Sequence, residues 1–300
     1  MNFIIKAVEL LNESEKKMRI LIVGGSGMLG HQLLRQWQNK YTVAVTLRRS
    51  LADYHAFNLF GPENSYSEID VSHLESLKRV FEDFKPSHVV NAVGVVKQRD
   101  TAKDAIPSIQ INALFPHQLS QLCQQHQARL FHMSTDCVFS GKKGHYSEAD
   151  FPDGVGLYAQ SKLLGELHEA HCVTLRTSII GYELENKRSL IEWFLAQKGI
   201  IKGFTQAIYT GFTTIEMARI LEKIMVEHPH LSGLWHVASS AINKYELLSL
   251  FKNALNRDII IQPDGSFVCD RSLDGKLFNK KISYKPPSWH DMLTELADLK

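Results

Sequence analysis

The stretch RILIVGGSGMLGHQLLRQWQ, residues 19–38, decides how the rest of the chain is read. A run of aliphatic and β-branched residues leads into Gly24, Gly27 and Gly30 at three-residue spacing, and apolar residues then recur at helical intervals. That pattern predicts a strand, a tight turn and an amphipathic helix. Glycines in such a turn let backbone pass close to a pyrophosphate, which then rests on the free N–H groups of the helix N-terminus. A strand before and a helix after supply the context this fingerprint requires. The turn therefore predicts a dinucleotide held at Gly24, Gly27, Met28 and Leu29.

Outward from this unit, short β-branched runs alternate with helical periods. Strands are expected at 19–23, 42–47, 88–93, 128–133 and 172–177, with helices near 28–39, 73–84, 108–126 and 158–170. Alternation of this kind predicts an α/β fold, a doubly wound parallel Rossmann sheet with ligands at its C-terminal edge. After about residue 180 the alternation stops. Helical patterns at SLIEWFLAQKG, TTIEMARILEKIM and KYELLSLFKNAL, with strands at LWHVAS and DIIIQP, predict a smaller mixed α/β C-terminal lobe against the sheet edge. The expected division is an N-terminal extension, 1–17, a dinucleotide-binding domain carrying the catalytic residues, 18–180, and a mainly substrate-binding lobe, 181–300. Met18, immediately before the first strand, is a candidate natural start.

Cofactor choice depends on the end of the second strand, where an acidic side chain would take the ribose 2′-hydroxyl of NAD. Here the residues are VTLRRS, and Arg48 and Arg49 offer positive charge with no carboxylate, which suits the 2′-phosphate of NADP. NADPH is the expected cofactor, with NADH as the second option. In EIDVS, Asp70 and Val71 lie where an adenine would be met, although Asp70 also reads as the neighbour of a helix capped by Ser72. In VVNAVGVV, Ala92 and Gly94 put small residues at a strand end that must pass close to the cofactor.

The segment LYAQSKLLGE places Tyr158 four residues before Lys162, on one face of a helix. A phenol has an ordinary pKa of about 10 and a nearby ammonium favours its ionised form. Tyr158 is thus a candidate proton donor to a carbonyl oxygen and Lys162 its activator, a pair that also binds cofactor ribose. FHMSTDCVFSG supplies Ser134 and Thr135 at the end of the fifth strand, on the same edge, as hydroxyls that orient a carbonyl.

Composition excludes other classes. Across 300 residues the formal charge is +2, with no block of like charges, so nothing points to nucleic acid or an anionic membrane. Cys123, Cys137, Cys172 and Cys269 are scattered without a CxxC pair, which fits reduced thiols in a cytoplasmic protein and predicts no metal site. No apolar run approaches the ~20 residues of a membrane span, and the opening segment has no small-residue cleavage site.

Taken together, GGSGMLG, NAVG, INALFPHQLSQLC, STDCVFSGKKGHYSEAD, YAQSKLLGE and TLRTSIIG follow one another as in the extended short-chain dehydrogenase/reductase superfamily. Within it the chain most resembles the dTDP-4-dehydrorhamnose reductase family, from Met18 nearly to its end. The resemblance implies reduction of a 4-keto-6-deoxy nucleotide sugar for surface polysaccharide synthesis. It makes Tyr158 the donor, Lys162 the activator and Thr135 the carbonyl-binding hydroxyl. Thr177 and Ser178 become neighbours of the nicotinamide, Asn112 either a support of proton relay or an ordinary helix residue, and a homodimer an allowed assembly. Three features depart from the family: Cys137 stands where an aromatic is usual, Ala159 where glycine is usual, and VVKQRD, with Lys97, Gln98 and Arg99, is more basic than expected after that strand. These bear on the sugar and its nucleotide. Other readings are an NADP-binding regulatory subunit, such as the β subunit of methionine adenosyltransferase, and an extended-family epimerase. A dehydratase would need an Asp-Glu pair after the catalytic threonine, and this chain has Asp136-Cys137.

Overall fold

The computed structural model describes residues 18–95 and 104–300. The N-terminal extension and the basic run Lys97, Gln98 and Arg99 lie outside the described residues.

Strand β1 (Arg19–Val23) alternates its side chains between two cores. Ile20 and Ile22 point to one face with Leu33, Leu34 and Trp37, while Leu21 and Val23 point to the other with Leu77, Phe81, Phe115 and Leu119. A strand buried on both faces reads as a continuous apolar run, as this one does. Helix α1 (Met28–Trp37) covers the first face, and helix α2 (Leu74–Phe84) covers the second.

Seven parallel strands form the main sheet in the order β11-β6-β5-β4-β1-β2-β3. Besides β1 they are β2 (Thr42–Thr46), β3 (Ser65–Tyr66), β4 (His88–Asn91), β5 (Arg129–Met133), β6 (Cys172–Arg176) and β11 (Gly233–His236). The direction of winding reverses between β1 and β4, so the crevice above their C-terminal ends is the expected ligand position. The glycine turn opens on that crevice.

Two elements expected in the C-terminal lobe belong to this first body. LWHVAS forms β11 and pairs with β6, and TTIEMARILEKIM forms helix α7 (Thr214–Glu227), which packs Ile215, Ile220, Leu221 and Ile224 into the core shared with α1. Their apolar periodicity is visible in the sequence, but it does not say which layer they cover. The remaining strands form small sheets: β7 (Ile179–Ile180) with β10 (Phe212–Thr213), β8 (Ile200–Phe204) with β13 (Ile260–Asp264), and β9 (Ala207–Tyr209) between β12 (Ile242–Asn243) and β14 (Cys269–Asp270).

Between β4 and β5, helix α3 (Ala105–Ser108) continues through a π-helical turn, Ile109–Leu114, into α4 (Phe115–Gln125). Helix α5 (Leu157–Leu164) stops six residues short of the expected end. Its C-cap is Gly165, where a Cβ would sit 2.0 Å from the Asn112 carbonyl oxygen, so the chain turns where it presses against the π turn. Helix α6 (Leu190–Ala196) buries Phe194 and leaves Trp193 40 % exposed. Three further helices complete the chain: α8 (Lys244–Ala254), α9 (Lys276–Lys281) and α10 (Trp289–Ala297).

Candidate active site

Gly24 takes φ +96°, a conformation that favours glycine, and an added Cβ would meet Val93 Cγ2 at 2.7 Å. Gly30 is equally constrained, because a Cβ there would lie 2.2 Å from the Gly24 carbonyl oxygen. These contacts press the turn onto Ala92–Val93 at the end of β4, and Gly94 lies just beyond. Gly25, absent from the predicted set, would put a Cβ 2.5 Å from Val45, so it also sets how close β1 and β2 run. Gly27 is the N-cap of α1, with no side-chain cap and no acidic residue in the first turn. Met28 and Leu29 follow, so the helix offers its N–H groups with no acidic side chain in its own first turn, a donor set that fits a pyrophosphate.

At the adenosine end, Arg48 lies 3.8 Å from Asp70, and Arg49 pairs with Glu185. Asp70 accepts from the Ser72 amide at 3.0 Å and its hydroxyl at 2.7 Å, and these bonds hold its carboxyl below the usual range. Ser72 does not cap the next helix: α2 has His73 as its N-cap, with no side-chain cap bond. Val71 is buried in the core beside α2.

At the other end, Thr135 caps a short 3₁₀ turn, Asp136–Val138. Its hydroxyl accepts from the Cys137 amide at 3.1 Å and donates to Asp136 Oδ1 at 3.3 Å. The same hydroxyl lies near enough to the phenol of Tyr158, in the first turn of α5, to pull its pKa down against the rise from burial. The structure thus brings Thr135 and Tyr158 together.

Burial raises the phenol's pKa, and the charge on Asp136 reinforces the rise. The lowering expected from Lys162 is not found: the group that pulls the phenol down is Thr135, and burial outweighs it. Lys162 instead donates to the Met133 carbonyl at 2.6 Å, and burial brings its ammonium down to about 8, against the opposing pull of Glu166. Asp136 is buried and its carboxyl is pushed up by desolvation, in spite of a hydrogen bond from Ser178 and the charge of Arg271. The Cys137 thiol is pushed up to about 11 by burial, which makes it a neutral wall and not a nucleophile.

Ser134 turns away from Thr135 and donates to Glu166 Oε1 at 2.6 Å. Glu166 also receives two bonds from Arg176, at 2.8 and 2.7 Å, and Arg176 reaches His236 at 3.2 Å. This network joins the ends of β5, β6 and β11 to α5. Asn112, in the π turn, spends its side chain on the end of β4: its oxygen accepts from Val95 N at 2.9 Å, and its amide donates to Val95 O at 3.0 Å and to Ser161 at 3.3 Å. Thr177 is buried, and its hydroxyl donates to the Ser178 carbonyl at 3.3 Å.

Tyr209 was not foreseen. Its hydroxyl is buried without a hydrogen-bond partner, and a Cβ on Gly211 would lie 2.2 Å from both that hydroxyl and the Ser178 carbonyl oxygen. Asp136 raises the pKa of this phenol too. No sequence spacing links residue 209 to the strand ends. Glu166 could have been found, since it lies four residues beyond Lys162. Arg176 signals itself as a charge inside a buried strand.

The family model of the RmlD substrate binding domain matches residues 18–263. The dTDP-4-dehydrorhamnose reductase of Aggregatibacter actinomycetemcomitans is 24% identical over 254 residues, covering 81% of this chain and 81% of that protein. Methionine adenosyltransferase 2 subunit beta of Mus musculus is 27% identical over 254 residues, covering 79% and 72%. Among solved structures, dTDP-4-dehydrorhamnose reductase of Bacillus anthracis in complex with NADP superposes with a TM-score of 0.77 at 20% identity, over 95% of this chain and 100% of that one. The Bordetella bronchiseptica enzyme WbmG in complex with NAD and UDP superposes with 0.74 at 20% identity, over 94% of each. These structural likenesses establish the fold.

Proposed function

Because this chain belongs to the RmlD substrate-binding-domain family, we propose that it is an NAD(P)-dependent oxidoreductase that reduces the 4-keto group of a nucleotide-linked 6-deoxy sugar. The observation that carries this reading is the placement of the Thr135 hydroxyl beside the buried Tyr158 phenol, just beyond the C-terminal end of β5. NADPH, or NADH in its place, would be held by the Gly24–Leu29 turn, the N-terminus of α1, Arg48, Arg49, Asp70, Val71, Ala92 and Gly94. When bound, it supplies a hydride.

The chain's own residues handle the oxygen. Tyr158 donates to the carbonyl oxygen, and Thr135 joins it by turning its one proton from Asp136 Oδ1 to that oxygen, polarising it. Burial keeps Tyr158 protonated through the neutral range, so its proton is available for the oxygen once the carbon is reduced. Lys162, an ammonium below about pH 8, stabilises the phenolate that remains and offers donors to a ribose. Cys137, beside Tyr158, is smaller than the aromatic usual there, which favours a bulkier or differently linked sugar.

The relative named as a methionine adenosyltransferase subunit keeps a second reading in view, that of a dinucleotide-binding partner of another enzyme. The assembled Thr135–Tyr158 pair favours turnover, since binding alone has no use for a proton donor. A homodimer is supported by Ile106, Ile109, Leu114 and Leu164, which are exposed on neighbouring helices. The deciding assay offers dTDP-, UDP- and GDP-linked 4-keto-6-deoxy sugars separately and follows NADPH oxidation. Consumption with one of them is expected. Silence with all three, while NADPH binds, would shift the assignment to the regulatory reading.

A further inference from the structure

The end of β2 lacks the carboxylate that an NAD-binding sheet of this kind places there, and the fold brings one from elsewhere. Glu185, 136 residues beyond Arg49, forms an ion pair with its guanidinium. Arg49 is not a free surface cation. Its guanidinium lies 4.9 Å from the centre of the Tyr54 ring, and Tyr54 is itself buried against Phe60. The fork is thus presented at one place.

The segment that carries Glu185 is tied down as well. Glu183 accepts from the Arg188 and Ser189 amides and donates its own amide to Glu192 at 3.0 Å. Glu183 and Leu184 share a cavity of about 270 Å³ with His31, Gln32 and Arg35 of α1, the helix that follows the glycine turn. Arg48, the other cation of the pair, is 72% exposed and meets Asp70.

We propose that Glu185 sets the dinucleotide preference: its carboxylate competes with a 2′-phosphate for Arg49, and it supplies the acceptor for an unphosphorylated ribose hydroxyl that VTLRRS lacks. The proposal rests on the cofactor reading above. NADPH has to displace Glu185 from Arg49 and then meets its negative charge nearby. NADH needs no displacement and gains a hydrogen bond to that carboxylate. The protein would therefore use both dinucleotides, with the gap between them narrowed by one residue.

The test titrates NADPH and NADH, by nucleotide fluorescence and without sugar, into the wild type, Glu185→Gln, Arg49→Ala and the double variant. Removing the Glu185 charge, 29% exposed, is expected to tighten NADPH about fivefold and weaken NADH about twofold, a change of about tenfold in their ratio. In the Arg49→Ala background the gain for NADPH should shrink to the part that comes from charge repulsion, while the loss for NADH remains. Equal shifts for both dinucleotides, or an undiminished NADPH gain without Arg49, would overturn the proposal. A wild type that binds neither dinucleotide would overturn the cofactor reading and this proposal with it. Binding of both with an unchanged ratio would sink the proposal alone.

Discussion

The two ends of the candidate cofactor crevice are built from opposite materials. At the catalytic end, Glu166 and Arg176 have side chains only 3% and 5% exposed, each fully engaged, and they bind the strand that carries Thr135 to the helix that carries Tyr158 and Lys162. At the adenosine end, Arg48 and Arg49 are 72% and 49% exposed and are met by carboxylates in water. A buried, saturated network holds geometry because any lost partner leaves an unpaired charge. Solvated pairs are weak and tradable. The chemistry should therefore respond to substitution sharply, and cofactor choice by degrees.

The largest effect is expected at Tyr158. Tyr158→Phe should lower kcat by about a thousandfold or more while leaving NADPH affinity within about twofold, as for loss of a general acid. Turnover near the wild-type value would remove Tyr158 from the mechanism. Next comes the network. Arg176→Met leaves Glu166 buried without its partner and should cost about 3–5 kcal/mol in urea unfolding. A loss under about 1 kcal/mol would mean that this pair behaves like the surface ones, and the contrast between the two ends would collapse.

A smaller effect concerns pH. Folding lowers the Lys162 pKa to about 8 from its ordinary 10.5, so kcat/KM should fall as pH rises through about 8 and the ammonium is lost. The contribution to stability runs the other way. The charged lysine costs stability at and below about pH 8, and that cost fades as pH rises from about 8 towards 10.5. Near this ammonium lie His132, whose burial keeps it neutral, and the carboxylate of Glu166. Glu166→Gln should move the alkaline limb to lower pH, and an unmoved limb would show that Lys162 is not the group observed. The smallest effect is expected at Arg48, where Arg48→Ala should weaken NADPH about twofold, less so at high salt. A loss of a hundredfold would make the adenosine end as unforgiving as the catalytic one.

The sequence makes the sheet legible because its strands are buried on both faces, and continuous apolar runs such as RILIV and HVVN leave little choice of period. It leads likewise to Thr135 and Tyr158, since each stands at the edge of a recognisable element. Layer assignment is less visible: β11 and α7 carry the same apolar patterns whether they cover the main sheet or a separate lobe. The direction of the Tyr158 shift also escapes sequence reasoning, because spacing shows that Lys162 is near but not that burial wins or that Met133 holds the ammonium. Glu185 and Tyr209 lie furthest from view. Each reaches its neighbours through a loop or small sheet whose path no local pattern fixes.

The central claim, that Tyr158 and Thr135 serve hydride reduction of a sugar ketone, is tested most directly with NADPH deuterated at the transferring C4 position of the nicotinamide. The protein and a 4-keto-6-deoxy nucleotide sugar would be mixed for one turnover and the product read by mass spectrometry and NMR. One deuterium on C4 of the sugar is the predicted result. Tightly bound NADPH that keeps its label, beside an unreduced sugar of whichever nucleotide, would contradict the account and leave a binding protein in its place.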